Sequence, residues 1–185
     1  TLTLGQPEVI ECVTVSGITE EQMLATAAAV EQHSEHPLAQ AILKRATALT
    51  LELARDYTNI DGQGARALVG NDPVVLGNSR LMQSEQIELG GLSAQAERLQ
   101  GGGRTVVHVA RAGQLIGLIS IADAVRPTSA QAIAELKRQG IRVAMITGDN
   151  QATAQRIGQA LGIDLVLADV LPGQKAAQIQ ALQQQ

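Results

Sequence analysis

The feature that most limits what this chain can fold into is a change of pattern near residue 120. Beyond it, helical stretches alternate with short apolar runs. Pro127 to Gln139 has a helical pattern stopped by Gly140, and 141–147 (IRVAMIT) forms an apolar strand. Residues 150–161 form a helix closed by Gly162, 163–168 (IDLVLA) a second strand, and a last helix begins near Gly173. Short strands that are apolar throughout and separated by helices belong to parallel sheets, which are covered on both faces.

Before residue 120 the pattern is different. Residues 7–15 (PEVIECVTV) alternate and are rich in Val and Ile, and short strand-like pieces recur at 65–70, 73–77, 104–111 and 114–121. Thr19, followed by Glu20, Glu21 and Gln22, starts a capped helix with apolar Met23, Leu24, Ala27 and Val30. Pro37 suits the first turn of a second helix carrying Leu38, Ala41, Ile42 and Leu49. Residues 79–87 and 92–100 are helical, and Gly101-Gly102-Gly103 is a loop. The fold expected is thus an α+β unit with antiparallel strands joined to an α/β unit with a parallel sheet.

Composition narrows the function. The 185 residues hold one tyrosine and no Phe or Trp, so the core is built from Ala, Val, Leu and Ile. Single-strand nucleic-acid readers need aromatic stacking platforms, and phosphate-backbone binders need a basic stripe. A net charge of −4 and no basic run beyond two residues disfavour nucleic acid as a partner. A single Cys12 excludes an intramolecular disulfide and a zinc cluster, and fits a reducing compartment. No apolar run approaches the roughly 18–20 residues of a membrane span.

Several short motifs could carry chemistry. Thr147-Gly148-Asp149-Asn150 lies where an apolar strand ends and a helix begins, the place where parallel sheets bind ligands and helix N–H groups favour anions. The same four residues also suit a plain N-cap turn. Asp123 and Arg126 flank a strand-to-helix junction before Pro127, as a functional pair or a local ion pair. Lys175 follows Leu171-Pro172, where a cation would neutralise phosphoryl charge or simply be solvated. Ser34-Glu35-His36-Pro37 puts a histidine before a proline-started helix, Gly62-Gln63-Gly64 marks a turn or a close ligand approach, and Gly77-Asn78 ends a strand. Cys12, His33 and His108 have a structural pattern.

In one succession, Glu31, Ser34-Glu35-His36-Pro37, Gly62-x-Gly64, Gly77-Asn78, Asp123-x-x-Arg126-Pro127, Thr147-Gly148-Asp149-Asn150 and Leu171-Pro172-x-x-Lys175 closely resemble the cytoplasmic ATP-binding loop of heavy-metal-transporting P-type ATPases, most like the copper pumps. The resemblance covers nearly the whole chain. It implies a nucleotide-binding domain at 8–119 inserted in a haloacid-dehalogenase-like Rossmannoid phosphorylation domain, of which 1–7 and 120–185 are an incomplete part. Glu31, His36, Gly62, Gly64, Gly77 and Asn78 would hold the adenine of ATP, with Asp123 and Arg126 at a hinge close to the triphosphate. Thr147 and Gly148 would handle the phosphoryl group, Asp149 would support Mg2+ and Lys175 would balance charge. The family forms an aspartyl phosphate, a case of covalent catalysis.

The chain begins at Thr1-Leu2-Thr3, which matches only the tail of the family's Asp-Lys-Thr-Gly-Thr-Leu-Thr, and it lacks the later Gly-Asp-Gly-x-Asn-Asp loop. The resemblance therefore implies an excised cytoplasmic piece of an integral membrane protein that binds ATP and lacks turnover. Membrane helices, an actuator domain, metal-binding domains and a metallochaperone would be partners of the parent. The transported ion, Cu(I) by overall likeness, has no ligands in this sequence. A haloacid-dehalogenase-like phosphatase with a cap would need an Asp-x-Asp pair at the end of a first strand, which is absent. A non-catalytic regulatory module on the same fold is the third reading.

Overall fold

A computed structural model describes residues 2–148, 151–170 and 172–183. Two compact units make up the chain: a larger one of Gly5–Gln100 and Arg104–Ala124, and a smaller one of the residues up to Leu4, Gly101–Gly103 and those from Val125 onward.

The larger unit is built on a six-stranded sheet of order β1-β6-β5-β4-β3-β2. Its strands are β1 (Thr3–Thr14), β2 (Ala54–Ile60), β3 (Gly64–Val69), β4 (Asp72–Gly77), β5 (Thr105–Arg111) and β6 (Gln114–Val125). Every pairing from β2 to β6 is antiparallel. The helices are α1 (Glu20–Glu31), α2 (Pro37–Arg45), α3 (Ser79–Ser84) and α4 (Ser93–Gly101).

Alternation along the strands assigns the helices to faces. Leu76 on β4 and Val107 and Val109 on β5 pack with Met23 and Ile42 of α1 and α2. Their neighbours Val75, Val106 and Ala110 pack with Leu81, Met82 and Leu99 of α3 and α4. Successive strand residues point to opposite faces, so the two helix pairs cover the two sides of the sheet. Without Phe or Trp, close approach replaces bulk: Ala27, Ala28 and Ala29 of α1 are each fully buried. The expected cap of α1 is present, with Thr19 accepting from Gln22 N–H and the Gln22 side chain accepting from Thr19 N–H.

The smaller unit holds α5 (Pro127–Arg138), β7 (Ala144–Ile146), α6 (Gln151–Leu161), β8 (Leu165–Leu167) and α7 (Lys175–Gln183). β7 and β8 pair in parallel, as the pattern after residue 120 requires. Ile133, Met145, Ala154, Ile157 and Leu161 form its core.

Three local expectations shift. The strands at 141–147 and 163–168 contract to three residues each. Ile141 N–H closes the end of α5 on Leu136 O, and Val143 N–H bonds the Asp164 carboxylate instead of a neighbouring strand. The second helix stops at Arg45, short of Leu49, with Ala46 as its C-cap and the Thr47 hydroxyl donating to the carbonyls of Leu43 and Lys44. β2 has no counterpart in the sequence pattern. It is an edge strand with exposed Arg55 and Asp56, broken by a bulge where Asp56 takes φ 54°.

Candidate functional site

A cavity of about 320 Å3 opens in the larger unit where α1 and α2 meet the ends of β2, β3, β4 and β5. Glu31, His36, Gly62, Gly64, Gly77 and Asn78, six of the residues singled out in the sequence, all line it.

Each is held there by local structure. Glu31 is the last residue of α1, and burial pushes its carboxyl above the ordinary glutamate range, against a lowering hydrogen bond with Ser34. His36 is the N-cap of α2, and its Nδ1 accepts from Leu38 N–H at 3.2 Å. Pro37, at the first helical position, has no N–H to offer, so Leu38 supplies the first donor in need of a partner. With Nδ1 accepting, the neutral ring carries its proton on Nε2. The histidine–proline pair is thus a helix start that leaves a ring N–H donor at Nε2.

Gly64 and Gly77 are required by contact. Gly64 and Gly77 stand opposite each other across β3 and β4. A Cβ on Gly64, whose φ is +147°, would lie 2.0 Å from Leu76 O, and one on Gly77 would lie 2.2 Å from Gln63 O. Asn78, besides lining the cavity, bonds its surroundings through both groups of its side chain. Its Oδ1 caps α3 by accepting from Leu81 N–H at 3.1 Å, and its Nδ2 donates to Gly62 O at 3.0 Å. Both groups of the side chain serve the frame of the cavity.

Among the lining residues that the motif reading does not single out, Tyr57 is the only aromatic ring of the Phe, Trp and Tyr class. It reaches the cavity from β2 and tilts against the His33 ring at 5.6 Å. The available signal was that this lone ring stands five residues before Gly62. Leu38, Ile60, Ala65, Leu76 and Val107 add apolar wall. A floor of glycines without side chains, apolar walls and a few convergent polar groups fit a flat heteroaromatic ring.

The remaining nominated residues lie elsewhere. Asp123 accepts at 3.1 Å from the N–H groups of both Gly5 and Gln6. The Arg126 Nε donates to Thr3 O at 2.9 Å, and its backbone N–H to Leu2 O. Both tie β1 to the end of β6 and neither lines the cavity. In the smaller unit, Thr147 follows β7, donating its N–H to Leu167 O and accepting at its carbonyl from Val170 N–H, with Gly148 next. Lys175 is the exposed first residue of α7. Asp149 lies outside the described residues. Among the described residues there is no group of three or more His, Cys, Asp or Glu that could hold a metal ion. No helix among them is long and apolar enough to cross a membrane.

With two compact units, a parallel strand pair in one and a glycine-floored cavity in the other, the chain belongs to the haloacid dehalogenase-like hydrolases, whose family pattern matches residues 1–185. Its curated relatives are ion pumps. It is 40% identical over 188 residues to a copper-exporting P-type ATPase of Bacillus subtilis (strain 168), and 43% identical over 188 residues to one of Vibrio cholerae. Each match takes in 100% of this chain but 23% and 20% of those proteins, so the chain spans under a quarter of either. A solved zinc-transporting PIB-type ATPase in its E2.Pi state superposes on all of this chain with a TM-score of 0.91 at 33% identity, over 30% of its own length.

Proposed function

We propose that this chain is the ATP-binding cytoplasmic part of a heavy-metal-transporting P-type ATPase, with Cu(I) as the cargo of the parent. The observation that carries the reading is the convergence of Glu31, His36 and the three glycines on one cavity of suitable size. Residues 8–119 would bind the nucleotide, and 1–7 with 120–185 would belong to the phosphorylation domain.

In this reading the adenine lies against the Gly62–Gly64 and Gly77 backbone. His36 offers its Nε2 proton to a ring acceptor, while the raised Glu31 carboxyl faces the same cavity. Thr147 and Gly148 would take the phosphoryl group, Asp149 would serve Mg2+ and Lys175 would offset charge. Asp123 and Arg126, which bond the backbone at the start of β1, would lie at the hinge close to the triphosphate. The family's chemistry is transfer to an aspartate in Asp-Lys-Thr-Gly, a sequence these 185 residues do not contain. The chain itself is therefore proposed to bind ATP without turnover. Membrane helices, an actuator domain, metal-binding domains and a metallochaperone would be partners of the parent.

Calorimetric titration with ATP tests the site. The unaltered chain should bind, and His36→Asn, which keeps a good N-cap but removes Nε2, should weaken binding about tenfold. Equal affinities would remove His36 from the site. Incubation with γ-labelled ATP should leave no acid-stable, hydroxylamine-sensitive label on the chain, and such a label would overturn the absence of turnover.

A further inference from the structure

Gly77 and Asn78 share one peptide plane on the cavity wall. Its N–H, from Asn78, donates to Gln63 O at 2.8 Å. Its C=O, from Gly77, lies 3.1 Å from Nδ1 of His108, a fully buried side chain on β5. A carbonyl only accepts, so His108 Nδ1 carries the proton and donates.

The other ring nitrogen makes this arrangement unusual. His108 Nε2 is buried with no hydrogen-bond partner among the described residues. The residues two positions away on β5, Val106 and Ala110, and the cross-strand Leu118 belong to the apolar cluster under α3 and α4. An apolar side chain would satisfy that face without an unmet acceptor, and such an acceptor is costly. The histidine's compensation is its one bond, and that bond reaches the cavity wall.

Nothing on β4 can do the same work. Gly77 bears no side chain and has no room for one, since a Cβ would meet Gln63 O. One end of the peptide plane is fixed from the Gly62–Gly64 turn and the other from β5. Rotation of the plane would break the Asn78 N–H bond to Gln63 O, which lies in the Gly62–Gly64 turn.

We propose that His108 is a positioning residue of the nucleotide cavity, its Nδ1–H fixing the Gly77–Asn78 peptide plane and, through Asn78, the Gly62 turn. The proposal rests on the nucleotide reading above. It gives a ligand-related task to a residue that the sequence pattern presents as a plain core histidine, and one that does not itself line the cavity.

Two substitutions separate the donor from the packing. In His108→Asn, Nδ2 sits on Cγ as Nδ1 does in histidine, so the donor is kept. In His108→Leu the volume is largely kept and the donor is lost. By calorimetry on the full chain, His108→Leu should bind ATP about three- to tenfold more weakly, and His108→Asn should stay within about twofold of the parent. Hydrogen exchange at the Asn78 amide should accelerate in His108→Leu and not in His108→Asn. In the unaltered chain, ring 15N shifts should place the proton on Nδ1.

A folded His108→Leu that binds like the parent, an equal loss in both variants, or a proton on Nε2 would each overturn the proposal. The ring measurement needs no variant, so a misfolded His108→Leu does not shield it. Parent binding with His108→Leu unchanged sinks this inference alone, whereas no binding by the parent sinks the nucleotide reading and this inference with it.

Discussion

The two units bury apolar surface without large aromatic rings, but to very different degrees. In the larger one, helices cover both faces of six strands, and the cavity is assembled from helix caps, a glycine pair and backbone bonds. In the smaller one, two strands of three residues carry the sheet. Leu136, Ile141, Leu165 and Ile179 stand exposed there, and no described residue of α7 is buried. Lys175 therefore starts a helix that packing does not anchor, whereas His36 starts one that buries Ala39, Ala41 and Ile42. The lesson is that equally clear motifs can differ in how firmly the fold holds them. The cavity residues are held by bonds within their own unit, and Lys175 is not held by burial.

The sharpest way to break that comparison is Gly77→Ala. Its Cβ would press on Gln63 O at 2.2 Å and on the Leu81 side chain at 2.8 Å, and backbone on one side cannot give way cheaply. We expect a loss of about 3 kcal/mol or more in the stability of the larger unit, with ATP binding abolished. Gly62→Ala is the control: φ is +68° but nothing lies within 4 Å of the added atom, so about 1 kcal/mol is expected from the backbone alone. Urea titrations of the two variants should differ clearly. Equal losses would mean that the glycine pair is not the tight contact described.

A core truncation in the smaller unit sharpens the contrast from the other side. Ile157 is 4% exposed in a cluster of few members, so Ile157→Ala should cost about 2–3 kcal/mol. Because the cavity is built within the larger unit, ATP affinity should not change. Residue-resolved hydrogen exchange should show faster opening in α5 and α6 while β3, β4 and β5 keep their protection. Loss of protection in those strands would show that the units do not keep separate stability.

The same contrast explains what the sequence revealed. Strands with a buried face, β3 to β6, and capped helices such as α1 announce themselves through alternation and through Thr19 and Gln22. β2 did not, because an edge strand with exposed Arg55 and a left-handed Asp56 carries no apolar rhythm. Six residues of the cavity were named from motif order alone. What each does was not legible. The Asn78 amide caps α3, Asp123 clasps Gly5 and Gln6, and Tyr57 arrives from a strand that the pattern missed. Such roles depend on which backbone groups lack partners once the chain has folded, which residue order does not reveal.

A smaller effect tests whether the larger unit depends on single caps. Thr19→Ala removes the acceptor for Gln22 N–H and half of a reciprocal pair at the head of α1. About 1 kcal/mol should be lost in thermal melting, with ATP affinity unchanged. A loss as large as that of Gly77→Ala would mean that α1 is held by its cap rather than by Met23 to Val30.

The mildest perturbation is acid, and the pH window in which it acts distinguishes the units. Burial holds His108 below its ordinary value of 6.5, with the Gly77 bond opposing the shift. Below that value the unfolded chain takes up a proton that the folded chain refuses, so the stability of the larger unit falls as pH drops through this window. Glu31 acts oppositely: with its carboxyl raised by burial, its contribution is present at low pH and lost as pH rises above the ordinary glutamate range. In the smaller unit, Arg138 and Lys137 hold Glu135 and Asp164 low, so their contributions fade only as pH falls below the ordinary carboxylate range. From about pH 7 to about pH 5.5, protection from hydrogen exchange, taken relative to the intrinsic amide rate at each pH, should fall in β4 and β5 and stay level in α5 and α6. His108→Leu should flatten that slope in the larger unit, and a slope that survives the substitution would assign it to another group.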